Sequence, residues 1–235
     1  MTDQPNEISP NVKSKTFEIA LAIRFISVFP VLGLMFFLPA WTFNYWQAWV
    51  YIFIVAVPAV FLGMYLYKHD RALLERRMRM KEKLQEQKLI VAISFPLFLA
   101  AFIIPGFDFR FGWSQIPVAA VVVSEVLVLA GYLIVALVFK ANSYTSRIIE
   151  VEKGQKVIST GPYAVVRHPM YLGVLVFYIF SPLALGSYWA VIPALLIIPL
   201  LIARIRGEEK ELLENLEGYR DYAVKTRHRL LPGIW

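Results

Sequence analysis

The chain has no cysteine. That excludes a disulfide framework, a thiolate nucleophile and any cysteine-based metal site. Charge is also scarce: Asp, Glu, Lys and Arg make up 17% of the 235 residues, while 58% are hydrophobic. A soluble domain of this length has too little interior to hide so much apolar surface. The opening stretch MTDQPNEISPNVKSK lacks the basic, apolar and small-residue order of a cleaved signal. With Pro5 and Pro10 and no apolar run, residues 1–16 are expected to form a disordered cytoplasmic tail. No internal repeat and no low-complexity tract is visible.

What the sequence does contain is a series of apolar runs near the roughly 20 residues that cross a bilayer. Six spans are expected, at about 17–38, 45–67, 89–105, 116–139, 170–185 and 188–205. The fold class is therefore an all-α polytopic membrane protein with about six transmembrane helices. The last two spans are short and joined by Gly186-Ser187, the pattern of a tight helical hairpin.

The formal net charge of +7 is unevenly distributed. Basic residues crowd segments 68–88 and 140–169 and the tail after 205. The 39–44 loop has none, and the 106–115 loop has only Arg110. Positive charge marks the cytoplasmic side of membrane proteins, so six spans with both termini inside place every basic segment there. This account of the charge makes a nucleic-acid partner unnecessary, and no protein partner is evident. The chain divides into the tail, a four-helix region at 17–140 with a basic cytoplasmic helix at 68–88, and a functional region at 141–235. Within the last, Ile148–Val151 and Lys156–Ile158 flank Lys153-Gly154 as a small β-hairpin would. Leu212, Leu216 and Tyr219 recur at helical spacing, as in an interfacial amphipathic helix.

Two clusters offer chemistry. In GPYAVVRHPMYLG, Pro169 suits the first position of the fifth helix and His168 its cap. That helix end presents unpaired N–H groups that favour an anion, a preference Arg167 strengthens, and Tyr171 in the first turn can reach the same place. Taken singly, these residues read as a snorkelling anchor, a cap and an interfacial aromatic. Together with Gly161, Pro162 and Tyr163 they point to a site. In ARIRGEEKELL, Arg204 and Glu208 share a helix face and Glu209 points elsewhere. The helical hairpin folds this acidic pair back beside Arg167-His168. Arg24 and Glu125 are charges within expected spans. Arg24 is near enough to the inner surface to snorkel. Glu125 either lines an acceptor tunnel or hydrogen-bonds a neighbouring helix.

RHPMYLG, ARIRGEEKELLE and EGYRDYAVKTRHRLLPGIW occur in that order. Over about Asn142 to Trp235 the chain thereby resembles the isoprenylcysteine carboxyl methyltransferase family and the related phospholipid methyltransferases. The four preceding spans are similar only in being hydrophobic. The resemblance implies S-adenosylmethionine at the cytoplasmic ends of the last spans and a lipophilic acceptor entering from the bilayer. It also accounts for the lack of a glycine-rich loop between a strand and a helix, which a Rossmann-type methyltransferase would need.

On this reading the cofactor is held by Tyr163, Arg167, His168, Pro169, Tyr171, Glu208 and Glu209. The cations and helix end suit its carboxylate, the acids its ammonium or ribose, and the aromatics its sulfonium or adenine. Arg204, and secondarily Arg229, would orient a carboxylate acceptor, and Glu208 would serve as base for an amine. No metal site is expected. Carboxyl O-methylation of a prenylcysteine-like acceptor leads. A phospholipid N-methyltransferase, a thiol S-methyltransferase, an NADPH-dependent sterol-type reductase sharing RHPxY, and a transporter or membrane-organising protein are the alternatives.

Overall fold

A computed structural model describes residues 10–78, 82 and 84–235, with side chains from Phe17 onward. The elements are α1 (Pro10–Ala40), α2 (Trp46–His69), α3 (Arg71–Met78), α4 (Gln85–Phe111), α5 (Val118–Ala141), a short 3₁₀ turn (Gly161–Ala164), α6 (Pro169–Ala184), α7 (Val191–Asn215) and α8 (Tyr219–Lys225). Four helical stretches are long and apolar enough to cross a membrane: Phe17–Ala40, Trp46–His69, Gln85–Phe111 and Val118–Ala141. Their outward faces carry exposed large apolar side chains such as Ile23, Phe53, Phe95 and Val126. A polypeptide leaves such faces bare when lipid covers them.

The structure departs from the expected six spans at the C-terminal pair. α6 is apolar but only 16 residues long. α7 has 25 residues, and from Arg204 onward it is charged. The two do form the expected helical hairpin, because Gly186 adopts a positive φ of 79° between them. At that turn Ser187 Oγ and Ser114 Oγ both donate to the buried Asp108, at 2.5 and 2.7 Å. The Tyr45 hydroxyl donates to the Leu185 carbonyl. α2, the end of α4 and the α6–α7 turn are thus tied together at the end of the bundle away from the basic segments.

Three further expectations need correction. No strand occurs among the described residues. The turn at Lys153-Gly154 is present, with Gln155 N–H donating to Glu152 O and Gly154 at φ 79°, but no ladder extends from it. The single basic helix at 68–88 is instead the end of α2, the short α3 and the start of α4; residues 79–81 and 83 lie outside the described residues. Likewise, residues 1–9 of the expected tail lie outside the described residues, and 10–16 belong to α1.

α3 is not merely solvated. Leu73 and Leu74 are buried against Leu66, Phe17 and Phe139. Arg76 pairs with Glu152 at 2.8 Å and donates to Ser143 O, clamping the α5–α6 connection onto the bundle end. α5 and α6 meet backbone to backbone at Gly131 and Gly173. A Cβ on either glycine would lie 2.7 Å from the other's carbonyl oxygen. Glu125 of α5 is 3% exposed, and neither of its oxygens is hydrogen-bonded among the described residues. It therefore does not bond a neighbouring helix as one of the expected readings required.

Candidate active site

Pro169 occupies the first position of α6 and His168 its cap position, although the imidazole makes no capping bond. The backbone before the helix is held by the tail of the chain. Arg167 N–H donates to His228 O and His168 N–H to Arg229 O, each at 2.9 Å. The tail is itself closed, since the N–H groups of Arg229, Leu230 and Leu231 all donate to Trp235 O. Leu230 packs with Tyr171, Leu201 and Ile205. The expected neighbours on α6 and α7 are therefore brought together, with the 228–235 tail as a third wall.

The amphipathic helix expected after Gly207 is two pieces. α7 ends at Asn215, and Gly218 at φ 80° starts α8. Leu212, Leu216, Tyr219 and Tyr222 pack on Val151, Val157 and Tyr163 rather than facing a bilayer. They close one side of a cleft. Tyr163, Arg167, His168, Pro169, Tyr171, Arg204 and Glu208 all line it.

Glu209 and Arg229 do not line the cleft. Glu209 lies buried behind it, between two arginines: Arg167 Nε donates to Oε1 at 2.6 Å and Arg229 Nε to Oε2 at 2.5 Å. Arg167 spends its remaining reach on the carbonyls of Ala223, Thr226 and Arg227, which it holds at 2.8–3.3 Å. Arg229 also lies over the Trp235 ring. Burial pushes the Glu209 carboxyl up, but donors from His168, Arg229 and Arg167 outweigh it and hold the group down at about 2. His168 Nε2 lies 3.5 Å from Oε1, too far for a good hydrogen bond, so the two arginines carry most of that effect.

On the cleft wall, the Tyr171 hydroxyl donates to Glu208 Oε2 at 2.6 Å. Glu208 Oε1 takes no hydrogen bond from a described residue. Arg204 donates to Arg147 O at 2.8 Å, to Gln87 Oε1 at 3.2 Å and to Glu82 at 3.4 Å, which fixes the guanidinium at the edge of the cleft. Gly207 makes room for this arrangement, because a Cβ there would meet Gln87 Nε2 at 2.1 Å. Tyr163 is positioned by Asn142 Nδ2, which donates to its hydroxyl at 3.0 Å, and burial raises its pKa.

Two polar atoms on residues of this cleft are buried without a partner: His168 Nε2 and the Tyr219 hydroxyl. A buried polar group left unpaired costs about 1–3 kcal/mol. Tyr219 was missed as a site residue by the sequence reading, as were Asn142 and Tyr222. Only the EGYRDY motif pointed to the tyrosines; without the fold they read as the apolar face of a helix.

Residues 121–214 match the model of the isoprenylcysteine carboxyl methyltransferase (ICMT) family. The match begins within α5, earlier than the motifs alone indicate, and ends before α8. No curated protein matches the chain. Residues 121–214, which carry the α6 end and the acidic pair, are thus similar to the isoprenylcysteine carboxyl methyltransferase family.

Proposed function

We propose that the protein is an integral-membrane, S-adenosylmethionine-dependent methyltransferase that O-methylates the carboxylate of a lipophilic, prenylcysteine-like acceptor. The family implies a methyltransferase. The observation that carries the cofactor assignment is the donor set of the cleft. His168, Tyr219 and Glu208, the last with one oxygen unbonded among the described residues, line a cleft bounded by tyrosines. S-adenosylmethionine has a group for each: a carboxylate for His168 and the start of α6, an ammonium or ribose hydroxyls for Glu208, and an adenine for the Tyr163, Tyr219 and Tyr222 wall. When bound, the cofactor supplies an electrophilic methyl group on a sulfonium. The Arg167–Glu209–Arg229 bridge positions these groups by fastening the tail to the start of α6.

A carboxylate acceptor is already ionised at neutral pH, so the chain's task is orientation and exclusion of water rather than proton removal. Arg204, fixed at the cleft edge, orients the acceptor. The acceptor enters from the bilayer, and the cleft opens to the cytoplasmic face that carries the basic segments.

The test is twofold. Purified protein in detergent should bind S-adenosylmethionine by calorimetry, and His168→Ala or Glu208→Ala should abolish that binding. Membranes given methyl-labelled cofactor should yield lipid-soluble label that mild alkali releases as methanol. Retained label would move the acceptor to an amine or thiol. Unchanged cofactor binding in both variants, or binding of NADPH instead, would overturn the site.

A further inference from the structure

Arg77 of α3 lies outside the residues matched by the family, and the mechanism above does not use it. It is partly buried at the junction of two surfaces. On one side its guanidinium donates to Ser146 O at 3.0 Å and touches Met170 Sδ at 3.9 Å, and both residues line the cleft. On the other it lies 5.0 Å over the ring of Phe139, which belongs to the apolar cluster of Leu66, Leu73 and Leu74.

Among the described residues no carboxylate comes within 4 Å of Arg77, whereas Arg71, Arg76, Arg167, Arg204 and Arg229 each have one. Most of the groups that act on it electrostatically are cations. Burial first, then Arg147, Arg204 and Arg24, lower its pKa to about 10, with Tyr171 opposing. It therefore remains charged at neutral pH. A largely desolvated guanidinium without a carboxylate partner is stabilised by an anion, and its planar fork matches a carboxylate.

We propose that Arg77 receives the anionic head of the acceptor, between the cleft and the apolar end of the bundle. The ligand this geometry takes is a single-chain amphiphile whose carboxylate sits at Arg77 and whose hydrocarbon lies against the Phe139 cluster. The inference rests on the reading that the adjoining cleft holds the methyl donor, and it adds a specificity residue for the acceptor's charge.

The probe is N-acetyl-S-farnesylcysteine, with its carboxamide as the uncharged control. Binding to the full chain in zwitterionic nanodiscs is measured first, followed by methyl-transfer kinetics. Arg77→Gln should weaken binding of the acid, and raise its KM, about ten- to hundredfold, the range for a lost hydrogen bond to a charged group. Binding of the carboxamide and of S-adenosylmethionine should not change, and Arg77→Lys should restore part of the acid affinity. Equal binding of the acid to wild type and Arg77→Gln would overturn the proposal, as would parallel loss of acid and carboxamide. It would also fail if wild type bound phosphatidylglycerol in preference to the acid and lost that binding in Arg77→Gln, which would make the site one for an anionic headgroup. Failure of wild type to bind S-adenosylmethionine would instead remove the underlying reading, while the acid-binding comparison would still report on Arg77.

Discussion

Glu209 shows how a residue can be essential to a site without lining it. Both its oxygens are taken by arginines from different parts of the chain, Arg167 before α6 and Arg229 in the tail. Glu209→Gln removes the charge that both need. We expect it to lower stability by about 3 kcal/mol, the low end for breaking a buried pair because Arg229 is partly exposed. The pH dependence has a definite sign. The folded carboxyl is held at about 2, below its ordinary 4.5, so its contribution is complete above about pH 4.5 and is lost as pH falls toward 2. The gap in melting temperature between wild type and Glu209→Gln should be constant at neutral pH and narrow below pH 4.5. A gap that widened there would contradict the assignment. Arg167, Glu208 and Glu209 were each visible in the sequence as charged residues beside an apolar run. That Glu208 faces the cleft while Glu209 is spent on arginines follows from their being adjacent on a helix, about 100° apart.

At the scale of elements, the site depends on how closely α5 and α6 approach. Their contact at Gly131 and Gly173 is backbone against backbone, and no flexible side chain is there to yield. Small residues allow such approach where lipid gives helices no hydrophobic reason to associate. Gly173→Ala should push α6 away from α5 and take His168 and Tyr171 with it, lowering both melting temperature and S-adenosylmethionine affinity. Gly33→Ala is the control: a Cβ there meets only Phe37 at 4.0 Å, and the expected change is within about 0.5 kcal/mol. Normal cofactor binding by Gly173→Ala would show that the α5–α6 distance does not set the site. The helices themselves were legible from apolar runs and punctuation such as Pro169 and Gly186. The β-hairpin was not realised: the turn at Lys153-Gly154 forms, but no ladder pairs the segments on either side of it.

For the whole molecule, every strongly basic segment lies at one end of the bundle and the Asp108–Ser114–Ser187 network at the other. The lack of native cysteine makes the consequence easy to measure. Single cysteines at Lys153 and Glu217 should react with an impermeant maleimide only from the cytoplasmic side, and one at Phe43 only from the opposite side. Labelling of Lys153 and Phe43 positions from the same side would refute the topology. Shortness of α6 sharpens the point: its N-terminus and the charged half of α7 must meet at the same membrane boundary for the cleft to exist.

Composition and spacing alone determined that this chain carries several helices apolar enough to cross a membrane, and that the RHPMYLG and GEEKELLE segments come together. Apolar runs and charge bias act locally, so a linear reading captures them. Only the tertiary structure decided which charges are spent on one another and which remain for a ligand. Arg167 and Glu209 went to internal bonds, while the Tyr219 hydroxyl found no hydrogen-bond partner among the described residues and Arg77 no carboxylate. Partnering depends on distances between segments far apart in sequence, and a sequence carries no record of those until it folds.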